Sequence, residues 1–344
     1  MSRSLSSLST PAAAAAAARA LVLTSPAALE AALSAPSPPS VLDATWYLHT
    51  LGKDARGEYN ARRIPTARFF DLDAVSDKTS TLPHMLPQAS TFAAAMRTLD
   101  IVRSRPVIIY DATGISSAAA RVAWTLRAFG HKSATVLDGG LPRWLAEGRS
   151  VETTAAPVNK VGTVTSSSSS SSSNDDSSDG WTLSSAYVRD MASVRALSLD
   201  AMRGGSESER RARALVVDAR PPLRFTGEAP EPRPIPSGHM PGARSVPSGT
   251  LVDATGALLA TEALRAAFHK GGVDVSRKGP LVLSCGSGVM ACTLWLALRA
   301  CGRPEGLDSV FDGSWTEWAS AETNSSQGFF IKNGPADETS SDFS

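Results

Sequence analysis

Short apolar runs alternate with longer stretches of helical periodicity along this chain. Val107–Tyr110 and Leu281–Ser284 are short runs that each follow a proline, and such runs are typical of strands buried in a parallel sheet. A small-residue turn and a helical pattern follow each run, over Ala118–Phe129 and Val289–Ala300. This alternation predicts an α/β fold in which right-handed crossovers build mainly parallel sheets flanked by helices.

The same landmarks occur twice in the chain. After each helical pattern another short strand is predicted, at Ala134–Leu137 and at Ser309–Phe311. A constant spacing between repeated landmarks indicates a duplicated domain, and a period this long indicates tandem domains, not a solenoid. The matched pairs, all 174 residues apart, are Asp111 and Cys285, Asp138 and Asp312, and Trp144 and Trp318.

Composition divides the 344 residues into two domains and three polar segments. Ser166–Ser173 is an unbroken serine run before a polar, acidic stretch. Too little apolar surface is available there to offset the entropy of ordering the chain, so a flexible linker is predicted. A second polar insert, Gly204–Arg213, is predicted to be a surface loop. The predicted divisions are a first domain over 21–153, a linker over 154–180, a second domain over 181–322 and a polar tail over 323–344.

Residues 1–20 have the composition of a targeting segment. They contain Arg3 and Arg19, many Ser and Ala, and no acidic residue, the first of which is Glu30. This pattern predicts a mitochondrial presequence, with a disordered low-complexity tail as the alternative. The expected location is therefore mitochondrial, cytoplasmic or both.

Composition and charge exclude several classes of function. Hydrophobic residues make up 42% of the chain and the net charge is +1 with no basic stripe, so a direct nucleic-acid partner is not expected. No apolar run approaches the roughly 20 residues of a membrane helix. The three cysteines form no CxxC pair, and their odd number argues against a disulfide framework and favours a reducing compartment. Histidines and cysteines do not cluster at ligand spacing, so no metal site is expected.

Cys285 lies where parallel sheets bind ligands, between a predicted strand and the helix that follows it. Gly286 and Gly288 permit a tight loop whose amides, with the helix N-terminus, converge on the sulfur. That positive potential predicts a lowered thiol pKa and a reactive thiolate. A buried structural cysteine is the alternative.

The loop Cys285–Val289 reads Cys-Gly-Ser-Gly-Val and resembles the active loop of the mercaptopyruvate sulfurtransferases, which belong to the tandem-domain rhodanese family. The resemblance covers roughly residues 21–320 apart from the two polar inserts. One departure is Met290, which stands where the family usually has threonine and removes a hydroxyl. The other motifs that carry the resemblance are Phe69–Asp73, Ser76–Ser80, His84–Pro87, Leu137–Leu141 and Asp312–Trp318.

The resemblance implies two tandem rhodanese-like domains, of which only the second is catalytic. The first domain carries Asp111 at the position of Cys285, and a carboxylate cannot hold sulfane sulfur. A face-to-face pair of duplicated domains can place its cleft at their interface. The implied reaction moves sulfur from 3-mercaptopyruvate through a Cys285 persulfide to a thiol acceptor, such as thioredoxin or a small thiol, and releases pyruvate. No cofactor is implied.

The resemblance also implies the roles of individual residues. Arg224 and Arg233 match the substrate-binding arginines, and a planar guanidinium suits a carboxylate, whereas Arg220 beside Asp218 is interpreted as structural. The implied substrate-binding loop residues are Gly286, Gly288 and Val289, and the implied proton-handling set is Ser287, His84 and Asp73, in which the carboxylate would orient the imidazole.

Four other functions remain open at this point. A thiosulfate sulfurtransferase would favour basic residues after the cysteine, where this chain has Gly286 and Ser287. A cysteine phosphatase would need an arginine at position 291, which is alanine. A sulfur-relay protein that loads a protein partner, for instance in transfer-RNA thiolation, would use the same Cys285 chemistry. A non-catalytic scaffold is disfavoured by Cys285 and the two arginines together. Cys292 and Cys301 are interpreted as helix residues.

Overall fold

A computed structural model describes residues 10–114, 117–153, 180–203, 206–320 and 331–336. Each half of the described chain forms a sheet of five parallel strands flanked by helices. The predicted α/β class with two tandem domains is therefore confirmed. The predicted linker, apart from Gly180, lies outside the described residues.

The first domain contains five strands and six helices, and one further helix precedes it. The strands are β1 (Leu23–Thr24), β2 (Ser40–Asp43), β3 (Arg68–Phe69), β4 (Val107–Tyr110) and β5 (Ala134–Leu137). The helices are α1 (Pro11–Ala20), α2 (Pro26–Leu33), α3 (Ala55–Ala61), α4 (Leu72–Val75), α5 (Ala89–Thr98), α6 (Ser117–Ala128) and α7 (Gly140–Ala146), with a 3₁₀ turn at His49–Leu51.

The second domain repeats this arrangement. Its strands are β6 (Val188–Arg189), β7 (Leu215–Asp218), β8 (Arg244–Ser245), β9 (Leu281–Ser284) and β10 (Ser309–Phe311). Its helices are α8 (Met191–Met202), α9 (Glu207–Ala212), α10 (Pro222–Thr226), α11 (Thr261–Lys270), α12 (Ala291–Ala300) and α13 (Ser314–Ala319), with a 3₁₀ turn at Ser248–Leu251.

The two sheets have the same strand order, which is the strongest structural sign of duplication. The order is β1-β5-β4-β2-β3 in the first and β6-β10-β9-β7-β8 in the second. Strands β4, β5, β9 and β10 have the bounds that the sequence predicted. Helix α12 begins at Ala291, two residues later than predicted, because Gly288 takes a positive φ and keeps the preceding residues in the loop.

The domains pack through the helices that follow their central strands, α6 and α12. Every residue of α6 from Ala118 to Ala128 is buried, as expected for a helix enclosed by its own sheet on one side and by the partner domain on the other. Trp124 of α6 and Trp295 of α12 belong to one hydrophobic core that is continuous across the interface. This contact brings the loop after β9 against the first domain.

Helix α1 occupies part of the segment predicted to be a presequence or a disordered tail. The Thr10 side chain caps it by accepting from the Ala13 N–H, and its alanines favour a helix. The Arg19 guanidinium donates to the carbonyls of Leu258 and Leu259, both at 2.7 Å. Pro11–Ala20 is thus helical and is anchored to the second domain through Arg19, which contradicts the disordered alternative for these residues. Residues 1–9 lie outside the described residues, and the presequence stays a prediction.

One other polar segment differs from expectation, and a second contributes to the folded domain. The predicted loop Gly204–Arg213 contains helix α9, which forms because Ser206 and Glu209 make a reciprocal capping box. Within the predicted tail, Lys332 forms an antiparallel bridge with His239, and Ile331 packs on the core of the second domain. The reason is the apolar Ile331, which gives this short stretch a surface to bury. Among the described residues, no helix has the length and apolar character needed to cross a membrane.

Candidate active site

Cys285 lies at the carboxyl end of β9, at the base of a cavity between the two domains. Its exposed fraction is 1%, and the cavity has a volume of about 220 Å³. Both domains contribute to the walls, so the predicted interdomain cleft is present. The first domain supplies Trp46, Tyr47, Leu48, Leu51, Ser117 and Ala118, and the second supplies Arg224, Glu231, Pro232, Arg233, Cys285, Gly286, Ser287, Val289 and Met290.

The start of α13 orients the backbone of the Cys285 loop. The Trp315 N–H donates to the Cys285 carbonyl at 2.9 Å. The Thr316 N–H and hydroxyl both donate to the Gly286 carbonyl, at 2.9 and 2.6 Å. These bonds hold the loop carbonyls toward α13, which leaves the following amides free to face the sulfur.

The amides of Ser287, Met290 and Ala291 converge on the Cys285 sulfur, as the two glycines predicted. Their hydrogen bonds favour the thiolate and act to lower the pKa of Cys285. Burial has the larger effect, and the pKa is raised overall because an anion is poorly solvated there. The expected fall in the pKa of Cys285 was therefore wrong. The loop sequence predicts the amides, but the burial of the cysteine depends on tertiary packing.

Ser314 holds both ends of the loop, and the sequence analysis missed its role. Its hydroxyl accepts the N–H groups of Cys285 and Gly288, each at 3.1 Å, and donates to the Phe311 carbonyl at 2.7 Å. Ser314 does this with a φ of 50°, in the left-handed region, where its counterpart Gly140 has a φ of 54°. The second domain therefore has a hydroxyl where the first domain has the less strained glycine. The 174-residue offset pairs these two positions, and that pairing was the available signal.

We expect Gly288→Ala to lower the free energy of unfolding by about 1–3 kcal/mol, because it combines overpacking with a left-handed backbone. Gly288 has a φ of 76°, and a Cβ there would lie 2.5 Å from the Asp312 carbonyl oxygen. The matched control is Gly286→Ala, whose Cβ would meet only Arg233 Nη1 at 3.8 Å. Urea unfolding of both variants measures the difference. Equal stability of the two alanine variants would contradict this account of the loop.

Arg224 and Arg233 both reach the cavity. Arg224 lies on α10 and Arg233 on the segment after it, and each is half-buried. Within the described residues, neither guanidinium forms an ion pair or a hydrogen bond of its own, so both cations remain available to an anionic ligand. The structure thus brings together the nucleophile candidate and the two arginines, which are far apart in sequence.

Arg220 does not line the cavity, and its guanidinium bonds neighbouring parts of the second domain. It is fully buried and its guanidinium pairs with Asp218 and with Glu231, each at 2.7 Å. A further bond reaches the Gly238 carbonyl at 2.6 Å. This network anchors the segment that carries Arg233, and it agrees with a structural interpretation of Arg220.

His84 and Asp73 form a pair in the first domain. His84 Nδ1 lies 2.9 Å from Asp73 Oδ1, and the pKa of Asp73 is lowered mainly by this contact. Trp46 Nε1 donates to Asp73 Oδ2 at 2.9 Å, and the Trp46 ring contacts the imidazole edge to face. Ser287 lines the Cys285 cavity, as does Trp46, whereas His84 and Asp73 are not among its lining residues. In the part of the chain that the structure describes, no hydrogen bond joins Ser287 to His84, so the pair and the serine are placed separately.

Another part of the cavity wall is largely apolar. Trp46, Leu48 and Leu51 come from the first domain, and Val289 and Met290 come from the Cys285 loop itself. Sequence reasoning missed the three residues of the first domain, because nothing local to them indicates that they face a site in the other domain.

The equivalent position in the first domain is closed. Asp111 is fully buried, and its carboxylate accepts the Thr113 N–H at 2.8 Å and the Thr113 hydroxyl at 2.7 Å. Its side chain therefore caps its own loop. Among the described residues, no group of three or more histidines, cysteines or acidic residues could hold a metal ion.

Comparison with known proteins identifies the family. The rhodanese-like domain family model matches residues 25–147 and 200–321. The chain is 38% identical over 281 residues to thiosulfate/3-mercaptopyruvate sulfurtransferase 1, mitochondrial, of Arabidopsis thaliana, covering 81% of this chain and 71% of that relative. It is 38% identical over 296 residues to 3-mercaptopyruvate sulfurtransferase of Homo sapiens, covering 83% and 88%.

A solved structure agrees with these relatives. SseA from Escherichia coli, described as a 3-mercaptopyruvate sulfotransferase with the rhodanese fold, superposes with a TM-score of 0.67 at 32% identity. The superposition covers 85% of this chain and 98% of SseA. The chain therefore belongs to the rhodanese-like family as a two-domain sulfurtransferase.

Proposed function

We propose that this chain transfers sulfur from 3-mercaptopyruvate, through a persulfide on Cys285, to a thiol acceptor such as thioredoxin or a small thiol, and releases pyruvate. The observation that carries the proposal is the cavity itself. It combines a buried cysteine under three loop amides with two arginines that have no protein partner among the described residues. Relatives named for this donor support the substrate class.

The cavity suits a small anion with an apolar part. The carboxylate and adjacent ketone of mercaptopyruvate would accept from Arg224 and Arg233, whose planar groups match such oxygens. The donor's methylene would face the apolar wall that contains Leu48, Leu51 and Met290. Thiosulfate is a dianion without carbon, so it gains nothing from that wall.

The first half-reaction forms the persulfide. The Cys285 thiolate attacks the donor sulfur, a new S–S bond forms, and the C–S bond breaks with its electron pair on carbon. The resulting enolate takes a proton and leaves as pyruvate. In this proposal the proton passes through the set of Ser287, His84 and Asp73, and the loop amides stabilise the negative charge on sulfur.

The second half-reaction returns the enzyme to its starting state. An acceptor thiolate attacks the outer sulfur, and the S–S bond breaks with its electron pair on Cys285. The acceptor leaves as a persulfide, so atoms and electrons balance without a cofactor. A reducing compartment, mitochondrial or cytoplasmic, would supply such thiols, and one relative's name includes the word mitochondrial.

We expect kcat/KM to be clearly higher with mercaptopyruvate than with thiosulfate when both are measured on the wild-type chain with one thiol acceptor. The reason is the match of the arginines to a carboxylate and of the apolar wall to a methylene. Pyruvate release and acceptor persulfide are the two products to follow. A preference for thiosulfate would overturn the donor assignment and leave the nucleophile in place, whereas activity only towards a protein partner would favour a relay protein.

A further inference from the structure

Arg121 is a buried cation at the junction of the two domains. It lies on α6, and its side chain is 1% exposed. Its guanidinium lies over the ring of Trp124. Its guanidinium pairs with Asp312 at 2.6 Å and donates to the Gly288 carbonyl at 3.4 Å, both in the second domain. It also donates to the His84 carbonyl at 2.6 Å in its own domain. One side chain therefore touches the loop of Cys285 and the backbone of His84.

The Asp312 carboxylate completes this junction. Its second oxygen accepts the Leu86 N–H at 2.8 Å, and Leu86 follows His84 by two residues. The His84 segment is thus bonded to Arg121 on one side and to Asp312 on the other. Because a buried charge without its partner is strongly unfavourable, the two side chains restrict how the domains can sit relative to one another.

His84 depends on this restraint. Its φ is 61°, an uncommon backbone conformation for a residue other than glycine. Such a conformation persists only where the surroundings hold it. The surroundings here are Arg121 on its carbonyl, Asp73 on its imidazole and the Trp46 ring at its edge.

We propose that Arg121 is a positioning residue that fixes the His84 segment relative to the Cys285 loop across the domain interface. The inference rests on the proposed function, because the Ser287, His84 and Asp73 set spans both domains. Ser287 and Cys285 belong to the second domain, while His84 and Asp73 belong to the first. Their separation is therefore a property of the interface, and the Arg121–Asp312 pair bonds both the His84 segment and the Cys285 loop.

A comparison of the two donors tests this role, because only one of their leaving groups needs a proton. Mercaptopyruvate leaves as a carbanion equivalent, an enolate that must gain a proton. Thiosulfate leaves as sulfite when its S–S bond breaks, and sulfite is a stable anion that needs no proton. If His84 is displaced, sulfur transfer from mercaptopyruvate should therefore slow far more than transfer from thiosulfate.

The test compares Arg121→Lys with Arg127→Lys in the full chain, using both donors. Lysine keeps the charge, but its compact ammonium replaces the planar, forked guanidinium that here bonds Asp312, Gly288 and His84 from two separate nitrogens. Arg127 lies on the same helix, is buried, and pairs across the interface with Glu305 at 3.2 Å, yet its contacts are with Leu21, Ala134 and Glu305. It therefore controls for loss of a buried interdomain arginine.

For Arg121→Lys we expect kcat with mercaptopyruvate to fall by about 10²-fold, the scale of a misplaced catalytic group. The ratio of kcat with mercaptopyruvate to kcat with thiosulfate should fall at least ~10-fold. The KM for mercaptopyruvate should change little, because the variant loses general acid catalysis. Arg127→Lys should lower thermal stability and leave the ratio unchanged.

Asp312→Asn provides a second variant should Arg121→Lys fail to fold, because it weakens the same ion pair at constant volume. It should shift the donor ratio in the same direction. An equal loss with both donors, or an equal shift of the ratio in Arg127→Lys, would overturn the positioning role alone. A wild-type chain without mercaptopyruvate turnover would instead overturn the proposed donor, and the positioning role with it.

Discussion

Cys285→Ser should abolish sulfur transfer from mercaptopyruvate and from thiosulfate alike. A serine hydroxyl cannot hold sulfane sulfur, and removal of a nucleophile lowers kcat by roughly 10⁶-fold in a well-studied hydrolase. The fold should survive, because the loop is held by backbone bonds from the Cys285 N–H to Ser314 and from Trp315 to the Cys285 carbonyl. Steady-state turnover measures the loss of sulfur transfer. The intact mass of the chain after exposure to donor shows whether a sulfur atom is still added.

The control is Cys301→Ser at the end of α12. Cys301 is also buried, but its thiol faces the Thr261 carbonyl at 4.0 Å, away from the cavity. This variant should keep wild-type turnover and still gain one sulfur atom on exposure to donor. Residual turnover in Cys285→Ser that disappears only in the Cys285→Ser, Cys301→Ser double variant would place the persulfide on Cys301.

Replacing both Arg224 and Arg233 by methionine should give the second largest loss, in kcat/KM for mercaptopyruvate. A hydrogen bond to a charged group contributes about 1.5–3 kcal/mol, so each single variant should lose roughly 10-fold to 10²-fold. The double variant should lose roughly 10²-fold to 10⁴-fold on the same scale. Methionine keeps an unbranched apolar stem, so the change is mainly loss of the cation and its donors. Initial rates over a range of donor concentrations separate KM from kcat.

Arg203→Met is the matched control for these variants. Arg203 is an exposed arginine at the C-terminal end of α8 and does not line the cavity. Its replacement should leave kcat/KM unchanged, which would exclude a general effect of net charge on an anionic donor. If the Arg224 and Arg233 double variant kept its KM and kcat, the carboxylate would have to be bound by other groups.

The candidate site is a product of the duplication. The second domain supplies the cysteine, its loop and the two arginines, while the first supplies an apolar wall and the His84–Asp73 pair. The Asp111 carboxylate is occupied in capping its own loop. The first copy, which has Asp111 at the position of Cys285, thus forms part of the cavity wall around the cysteine of the second copy.

Local patterns in the sequence determined the elements, the duplication and the chemistry of the Cys285 loop. Buried strands such as Val107–Tyr110 and Leu281–Ser284 are recognisable because their apolar runs and flanking prolines are contiguous in the chain. The Cys285 loop is likewise contiguous, and its two glycines indicate amides that face the sulfur. Local capping is also encoded in the sequence, and the box of Ser206 and Glu209 could have predicted α9.

Tertiary structure alone decided what depends on residues that are distant in sequence. The pKa of Cys285 rises because the folded chain buries the thiol, and no property of the loop sequence measures that burial. Three features arise only where separate segments meet. They are the placement of Trp46 in the cavity wall, the hydrogen bonds of the Ser314 hydroxyl and the Arg121–Asp312 pair. Their physical basis is desolvation and hydrogen-bond geometry across the domain interface, which spacing along one chain does not reveal.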